Sequence, residues 1–177
     1  TDEEPGRGKP DKIKKLHPAF NQEGTITPAN ASSINDGAAA LTVISNEKAD
    51  QLCISPLCKI VSQVSYAHEP LYFTKAPGNA ITKILDKSGL LIEDIDLFEI
   101  NEAFSNVPLA VIREHSIPHD KINIHGGAVS LGHPIGASGA RILVTLISAL
   151  RQKQKKLGLA TLCIGGGEAA ALIVEII

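Results

Sequence analysis

The sequence predicts an α/β fold of order β-α-β-α-β-α-β-β, a mixed five-stranded sheet covered by helices on both faces. Two observations carry this. Short apolar runs of strand character alternate with segments of helical periodicity, the pattern of a sheet buried on both sides. The last two runs flank the tight turn Gly165-Gly166-Gly167, so they read as an antiparallel hairpin within that sheet. A length of 177 residues fits about one domain.

Each element follows in order. Residues 1–24 are charged, carry Pro and Gly, and form an extended or loosely held lead-in segment; residues 25–177 form the domain proper. Thr25–Gly37 is small, polar and turn-forming, a surface loop or backbone lying close to a ligand. Ala38–Ser45 (AAALTVIS) is the first strand and Glu47–Leu52 a short helix. Leu57–Ala67 alternates apolar and polar residues as a long strand does. Pro77 opens a helix running to about Lys87, with Ile81, Ile84 and Leu85 on one face and Gly89 at its end. Ile95–Ile100 (IDLFEI) is the third strand. Ala103–His115 is a helix in which Pro108 sits in the first turn or makes a kink. After the glycine-rich loop Gly126–Gly139, Ala140–Leu150 is apolar nearly all round and reads as a helix buried between layers. The basic run Arg151–Lys156 is its solvated end, where cations suit the helix dipole. Gly158–Cys163 and Ala170–Ile177 are the last strands. There is no internal repeat or linker.

Composition excludes several classes. Seventeen basic and nineteen acidic side chains give a net charge of −2, with no basic footprint for nucleic acid or an anionic membrane. No apolar run reaches the roughly 18 residues of a membrane span. Three cysteines make no disulfide framework and fit a reducing compartment, the cytoplasm or an organellar matrix. With no Met and 3% aromatics, aliphatic side chains must fill the core. The opening TDEEPGRGKPDK has neither a signal segment nor an initiator Met, and reads as processed or cut from a longer chain. Cys53 and Cys58 make no ligand set with His17, His68, His115, His119 or His125, so neither a metal nor a bound cofactor is expected.

Four places at strand ends or turns hold chemistry-bearing residues, where open α/β sheets bind ligands. Asn101-Glu102-Ala103-Phe104 follows the strand IDLFEI; Asn101 is either a helix N-cap or a holder of a water or substrate oxygen. In the run Gly126–Gly139, Gly132 and Pro134 fix the backbone on either side of His133, as a positioned imidazole requires. That run lacks the phosphate-binding spacings of nucleotide loops. Cys163-Ile164-Gly165-Gly166-Gly167 puts a cysteine before three glycines. The thiol is a small hydrophobe or an acid/base or nucleophilic group, and the glycines let backbone N–H groups converge as an oxyanion hole does. The fourth, Pro28–Gly37, is a cap and turn or a ligand contact.

Together NEAF (Asn101–Phe104), GGAVSLGHPIGASGAR (Gly126–Arg141), CIGGG (Cys163–Gly167) and ANASSINDGAAAL (Ala29–Leu41) resemble the thiolase family, nearest its acetoacetyl-CoA thiolases (acetyl-CoA C-acetyltransferases). The resemblance spans essentially the whole chain. It implies Claisen condensation of two acetyl-CoA, or the reverse thiolytic cleavage of acetoacetyl-CoA, with coenzyme A as substrate and product. In that frame His133 activates the acyl-accepting nucleophile, and Cys163 removes and returns the α-proton. Asn101 holds the water completing one oxyanion hole, and the Gly165 N–H is a donor of the second. Ser32, Phe20, Arg7, Ala103 and Phe104 are the implied coenzyme A contacts.

The resemblance also implies that this chain is the C-terminal half of an enzyme about twice its length. The nucleophilic cysteine belongs to the N-terminal half, since Cys53 and Cys58 fall in an ordinary connection. The chain alone is then inactive, its partners being that N-terminal half and further copies in a homodimer or homotetramer. Glu168 departs from the uncharged residue common after the glycines; it tunes acyl-chain choice or faces solvent. The rival readings are a longer-chain 3-oxoacyl-CoA thiolase and a non-catalytic CoA-binding or assembly module.

Overall fold

The computed structural model describes residues 3–177; the first two residues of the lead-in segment lie outside them. Strands β1 (Cys58–Ala67), β2 (Leu97–Ile100), β3 (Leu157–Ile164) and β4 (Glu168–Ile176) form one mixed sheet in the order β1-β4-β3-β2. β3 and β4 make the expected antiparallel hairpin across the glycine turn, with Ile164 opposite Glu168. β1 runs antiparallel to β4, and β2 runs parallel to β3. The long connection from β2 to β3, which a parallel pair demands in place of a turn, carries Asn101, Ala103, Phe104 and His133.

Helices cover both faces. In chain order they are α1 (Glu4–Arg7), α2 (Pro10–Ile13), α3 (Asn46–Gln51), α4 (Ala76–Ser88), α5 (Asn106–His115), α6 (Ala128–Leu131) and α7 (Ser138–Gln152). One core lies between the sheet and α4 and α5, built on Ile81, Ile84, Phe98, Ile100, Val107 and Ile173. The other lies under α7, built on Leu97, Ile142, Leu146, Leu150 and Val174. β2 is buried at every residue. Because side chains alternate along a strand, Phe98 and Ile100 enter the first core while Leu97 enters the second. Glu99 shares the α7 face with Leu97, a buried carboxylate in an apolar strand.

Three expectations are corrected. The sheet has four strands, not five: Ala38–Ser45 has no regular structure and pairs with no described strand. Its apolar alternation gives it strand character, but that character is realised only against a partner edge. Here Val43 is 76% and Leu41 38% exposed. Leu41 reaches an apolar cavity of about 330 Å³ shared with Val64, Ile142 and Leu172.

The α7 helix covers one face of the sheet rather than lying between two layers, and its outer side leaves Val144 41% exposed. The helix expected from Ala103 begins at Asn106 because the preceding backbone is committed elsewhere. Ser32 N–H donates to Ala103 O and Ser105 N–H to Asn30 O, with a bridge between Ala31 and Phe104. Pro108 thus falls in the first turn of α5, where its missing N–H costs nothing. β1 keeps an open edge, with Leu57, Ile60 and Val61 exposed.

The glycine turn after β3 is sterically uneven. Gly167 has φ +92°, and a Cβ there would strike His68 O and Pro70, whereas a Cβ on Gly165 meets nothing within 4 Å. Gly167→Ala should therefore cost about 1–3 kcal/mol in urea denaturation, and Gly165→Ala less than about 0.5 kcal/mol. Equal effects of the two would contradict this account of the turn.

Candidate active site

Parallel pairing sets the site at the carboxyl ends of β2 and β3. Ile100 pairs with Thr161, and Asn101 N–H donates to Thr161 O at 3.0 Å. Asn101 thus lies at the end of β2 and Cys163 two residues further along β3. Asn123, held at φ +46°, closes the other side of β2. Its Oδ1 accepts from Ile100 N–H and its Nδ2 donates to Ile100 O, both at 2.8 Å. The same Nδ2 reaches Glu102 Oε1 at 3.1 Å. Glu102 Oε2 then accepts from Val129 N–H at the start of α6. A side chain here stands in for a neighbouring strand and fixes where β2 stops.

His133 sits between α6 and α7, half-buried. Its N–H donates to Ser33 O at 2.9 Å and Asn35 Oδ1 at 3.2 Å, so the Pro28–Gly37 turn pins the histidine backbone. Gly132 has φ +94°, and a Cβ there would run into the Asn35 carboxamide; no other residue lets that turn approach so closely. The ring meets Ser138 Oγ through Nδ1 at 2.6 Å and Asn101 Nδ2 through Nε2 at 3.3 Å. Ser138 is fully buried, and its hydroxyl donates to Pro134 O at 3.0 Å. That spends its one proton, so Ser138 Oγ accepts from Nδ1–H, and Nε2 carries the lone pair. Burial, and next the charge of Arg141, push the His133 pKa below its usual value. The imidazole is neutral at pH 7 with Nε2 as its basic atom.

The other expected residues fall as follows. Cys163 is buried, and desolvation raises its pKa, so it is a thiol at neutral pH. It packs in the core on the α4 and α5 side, at the same end of the sheet as Asn101. Neither ring nitrogen of His133 has Cys163 as its hydrogen-bond partner. Gly165 is exposed in the turn beyond it. Ser32 Oγ donates to Ala103 O at 2.9 Å, tying two expected coenzyme A contacts together. Phe20 and Phe104 stack edge-on with centroids 5.8 Å apart, and Phe104 meets Phe73 in the same way at 6.3 Å. Phe20 is otherwise 76% exposed. Arg7 stands apart from this group, paired with Glu3 and Glu4 on the protein surface. Glu168 is exposed. Among the described residues no group of three or more His, Cys, Asp or Glu could hold a metal ion.

Several site residues escape the sequence reading: Ser138, Arg141, Asn123 and Glu99. Only Glu99 carries a clear signal, a lone carboxylate in an apolar strand. It is 2% exposed, with Arg141 Nη1 3.8 Å from its Oε2. Desolvation outweighs that cation, with Glu102 adding repulsion, and its pKa is raised to about 7.

A neutral imidazole between α6 and α7 lies against the end of β2, and a buried thiol stands near the end of the adjacent strand β3, an arrangement able to do acid/base chemistry. The thiolase C-terminal domain model matches residues 54–176 and the thiolase N-terminal domain model residues 1–47. The acetyl-CoA acetyltransferase of Syntrophomonas wolfei is 51% identical over 177 residues, 99% of this chain and 45% of that protein. The crystal structure of the Bacillus anthracis acetyl-CoA acetyltransferase superposes with TM-score 0.96 at 42% identity, over 100% of this chain and 45% of that one. The Acat5 thiolase from Ascaris suum in complex with coenzyme A gives TM-score 0.91 at 46% identity, over 99% and 46%.

The chain belongs to the thiolase family. It spans about half the length of the relatives it matches. The two domain models meet between residues 47 and 54. Ala38–Ser45, unpaired here, falls within the N-terminal match.

Glu99 supplies a pH test. Its folded-state pKa lies above the ordinary 4.5 at about 7, so its contribution to stability is full below the unfolded value and is lost as pH rises towards 7. Glu99→Gln removes that loss. The stability of the variant minus that of the wild type, from urea midpoints, should grow between about pH 5 and pH 8. A constant difference would contradict the assignment.

Proposed function

We propose that this chain supplies the acid/base and oxyanion half of an acetyl-CoA C-acetyltransferase, working on acetyl-CoA and acetoacetyl-CoA. The observation that carries the reading is the neutral His133 whose Nε2 faces Asn101 at the end of β2. The imidazole nitrogen can take a proton, and the carboxamide bonded to it has a second N–H with which to hold an oxygen.

In the condensing direction, an acyl-accepting thiol attacks the thioester carbonyl of the first acetyl-CoA and passes its proton to His133 Nε2. The coenzyme A thiolate leaves with the proton of the Cys163 thiol, which makes Cys163 Sγ a thiolate. The α-proton of the second acetyl-CoA then goes to that thiolate. The carbanion forms a C–C bond with the acetyl carbonyl and expels the acceptor thiolate, which takes back its proton from His133. Such an enolate is expensive in water, and donors already aimed at its oxygen lower the barrier; removing one costs about 10²–10³ in rate. A water on Asn101 and the N–H of Gly165 are assigned to those roles. The raised pKa of Cys163 keeps it a thiol at rest, the form that returns a proton during cleavage. Ser32, Phe20, Ala103, Phe104 and Arg7 are assigned to the coenzyme A side of the site.

The acyl-accepting cysteine is assigned to a thiolase N-terminal half acting with this chain. Cys58 pairs with Ile176 at the end of the sheet where β3 begins. Six residues of β3 separate that end from Cys163, roughly 20 Å of strand. Cys53 is exposed on the connection leading to Cys58. Neither sits where an acyl group on sulfur would face His133.

The assay is cleavage of acetoacetyl-CoA, by the 177-residue chain alone and by a polypeptide that joins it to a thiolase N-terminal half. Turnover is expected only in the second, and Cys163→Ala should lower it there by about 10²–10⁴-fold. Robust turnover by the chain alone, or an unimpaired Cys163→Ala variant, would contradict the proposal.

A further inference from the structure

Five groups around His133 are joined end to end, and their chemistry allows only one direction for the hydrogens. Arg141 Nη2 lies 3.4 Å from Asn101 Oδ1. Asn101 Nδ2 lies 3.3 Å from His133 Nε2, and Nδ1 lies 2.6 Å from Ser138 Oγ. Ser138 Oγ ends the series 3.0 Å from Pro134 O. A guanidinium has donors only, and a carbonyl oxygen accepts only. The three members between can each be turned round: the amide by a flip, the imidazole by a change of tautomer, the hydroxyl by rotation. We propose that Arg141 is a positioning residue, which fixes the direction of this series and so holds His133 as the Nδ1–H tautomer with the Nε2 lone pair facing Asn101 Nδ2.

The placement of Arg141 supports this role. It lies three residues after Ser138 in the first turn of α7, and positions three apart share a helix face. One turn of helix therefore holds both flanks of the imidazole, the terminal donor on one side and the last hydroxyl on the other. Glu99 and Asn101, two apart along β2, face that turn together. Glu99 is the counter-charge, 3.8 Å from Arg141 Nη1. Nε and Nη1 of Arg141 are buried and make no hydrogen bond, so the contact to Asn101 is the one hydrogen bond its guanidinium makes among the described residues. Reversing the series would set an amide N–H against the guanidinium and leave Pro134 O without its donor. Each mismatch costs about as much as an unpaired buried polar group. Removing Arg141 abolishes the first of these and frees the Asn101 amide to flip. Its oxygen can then accept from an Nε2–H.

The importance of this for acyl transfer rests on the proposed function, but the hydrogen-bond direction can be read without any turnover. The protein is labelled with ¹⁵N at histidine and observed by NMR near pH 8, with His133 assigned from the signals lost in His133→Asn. In the wild type, Nδ1 is expected to resonate as a protonated nitrogen and Nε2 as an unprotonated one. In Arg141→Met the two shifts should move towards each other as the second tautomer gains population. In Arg141→Lys, which keeps a donor-only head, they should stay apart. A folded Arg141→Met protein with wild-type nitrogen shifts overturns the proposal. Should that variant not fold, Arg141→Gln, which can offer Asn101 either a donor or an acceptor, takes its place with the same two outcomes. An inactive enzyme with the expected shifts would count against the proposed function and leave the positioning role standing.

Discussion

The site depends first on where β2 ends. Asn123 donates to and accepts from the backbone of Ile100, and Thr161 O takes the next N–H, that of Asn101. With both sides of the strand end occupied, Asn101 has one place to stand. The rest is built outward from it: Glu102 turns back to Asn123 and to the start of α6, which carries the chain towards His133. α7 then supplies Ser138 and Arg141 from a single turn. A half-buried carboxamide making two backbone hydrogen bonds is costly to lose, because both strand-end groups would be left without those partners.

The buried charges are the price of this arrangement. Glu99 and Arg141 sit in an otherwise apolar layer, with the guanidinium only partly satisfied. A buried pair of this kind is weak evidence for stability, since desolvation offsets the attraction. Its value is positional: a donor that can neither lose its proton nor accept one gives a neighbouring amide a single orientation. Burial and, after it, the same cation depress the pKa of His133, so the ring that is oriented is also kept neutral.

Much of this is legible in the sequence, for reasons particular to each element. The hairpin across Gly165–Gly167 and the helix closed by Gly89 are dictated by local chemistry, and both appear; Gly89 ends its helix at φ 68°. His133, Asn101 and Cys163 stand out because glycines, a proline or a strand end mark them. Ser138 reads as part of the glycine-rich loop and Arg141 as a lone charge near the start of an apolar helix; only the fold brings Ser138 to the His133 ring and Arg141 to β2. Asn123 looks like a turn residue, and its left-handed backbone agrees; nothing local says that it would clamp a strand 23 residues earlier in the chain. Ala38–Ser45 is the converse case. Its strand character is real in the sequence, but it pairs with no described strand, so local pattern and tertiary structure part company there.

The central claim is that this chain moves protons and holds oxygens while another segment carries the acyl group. Intact-protein and peptide mass spectrometry after exposure to acetyl-CoA tests it directly. The account predicts that Cys53, Cys58 and Cys163 all remain unacetylated in the 177-residue chain, and that acetyl accumulates on the N-terminal half when the two are joined. Rapid, stoichiometric acetylation of any of the three cysteines in the isolated chain would contradict it.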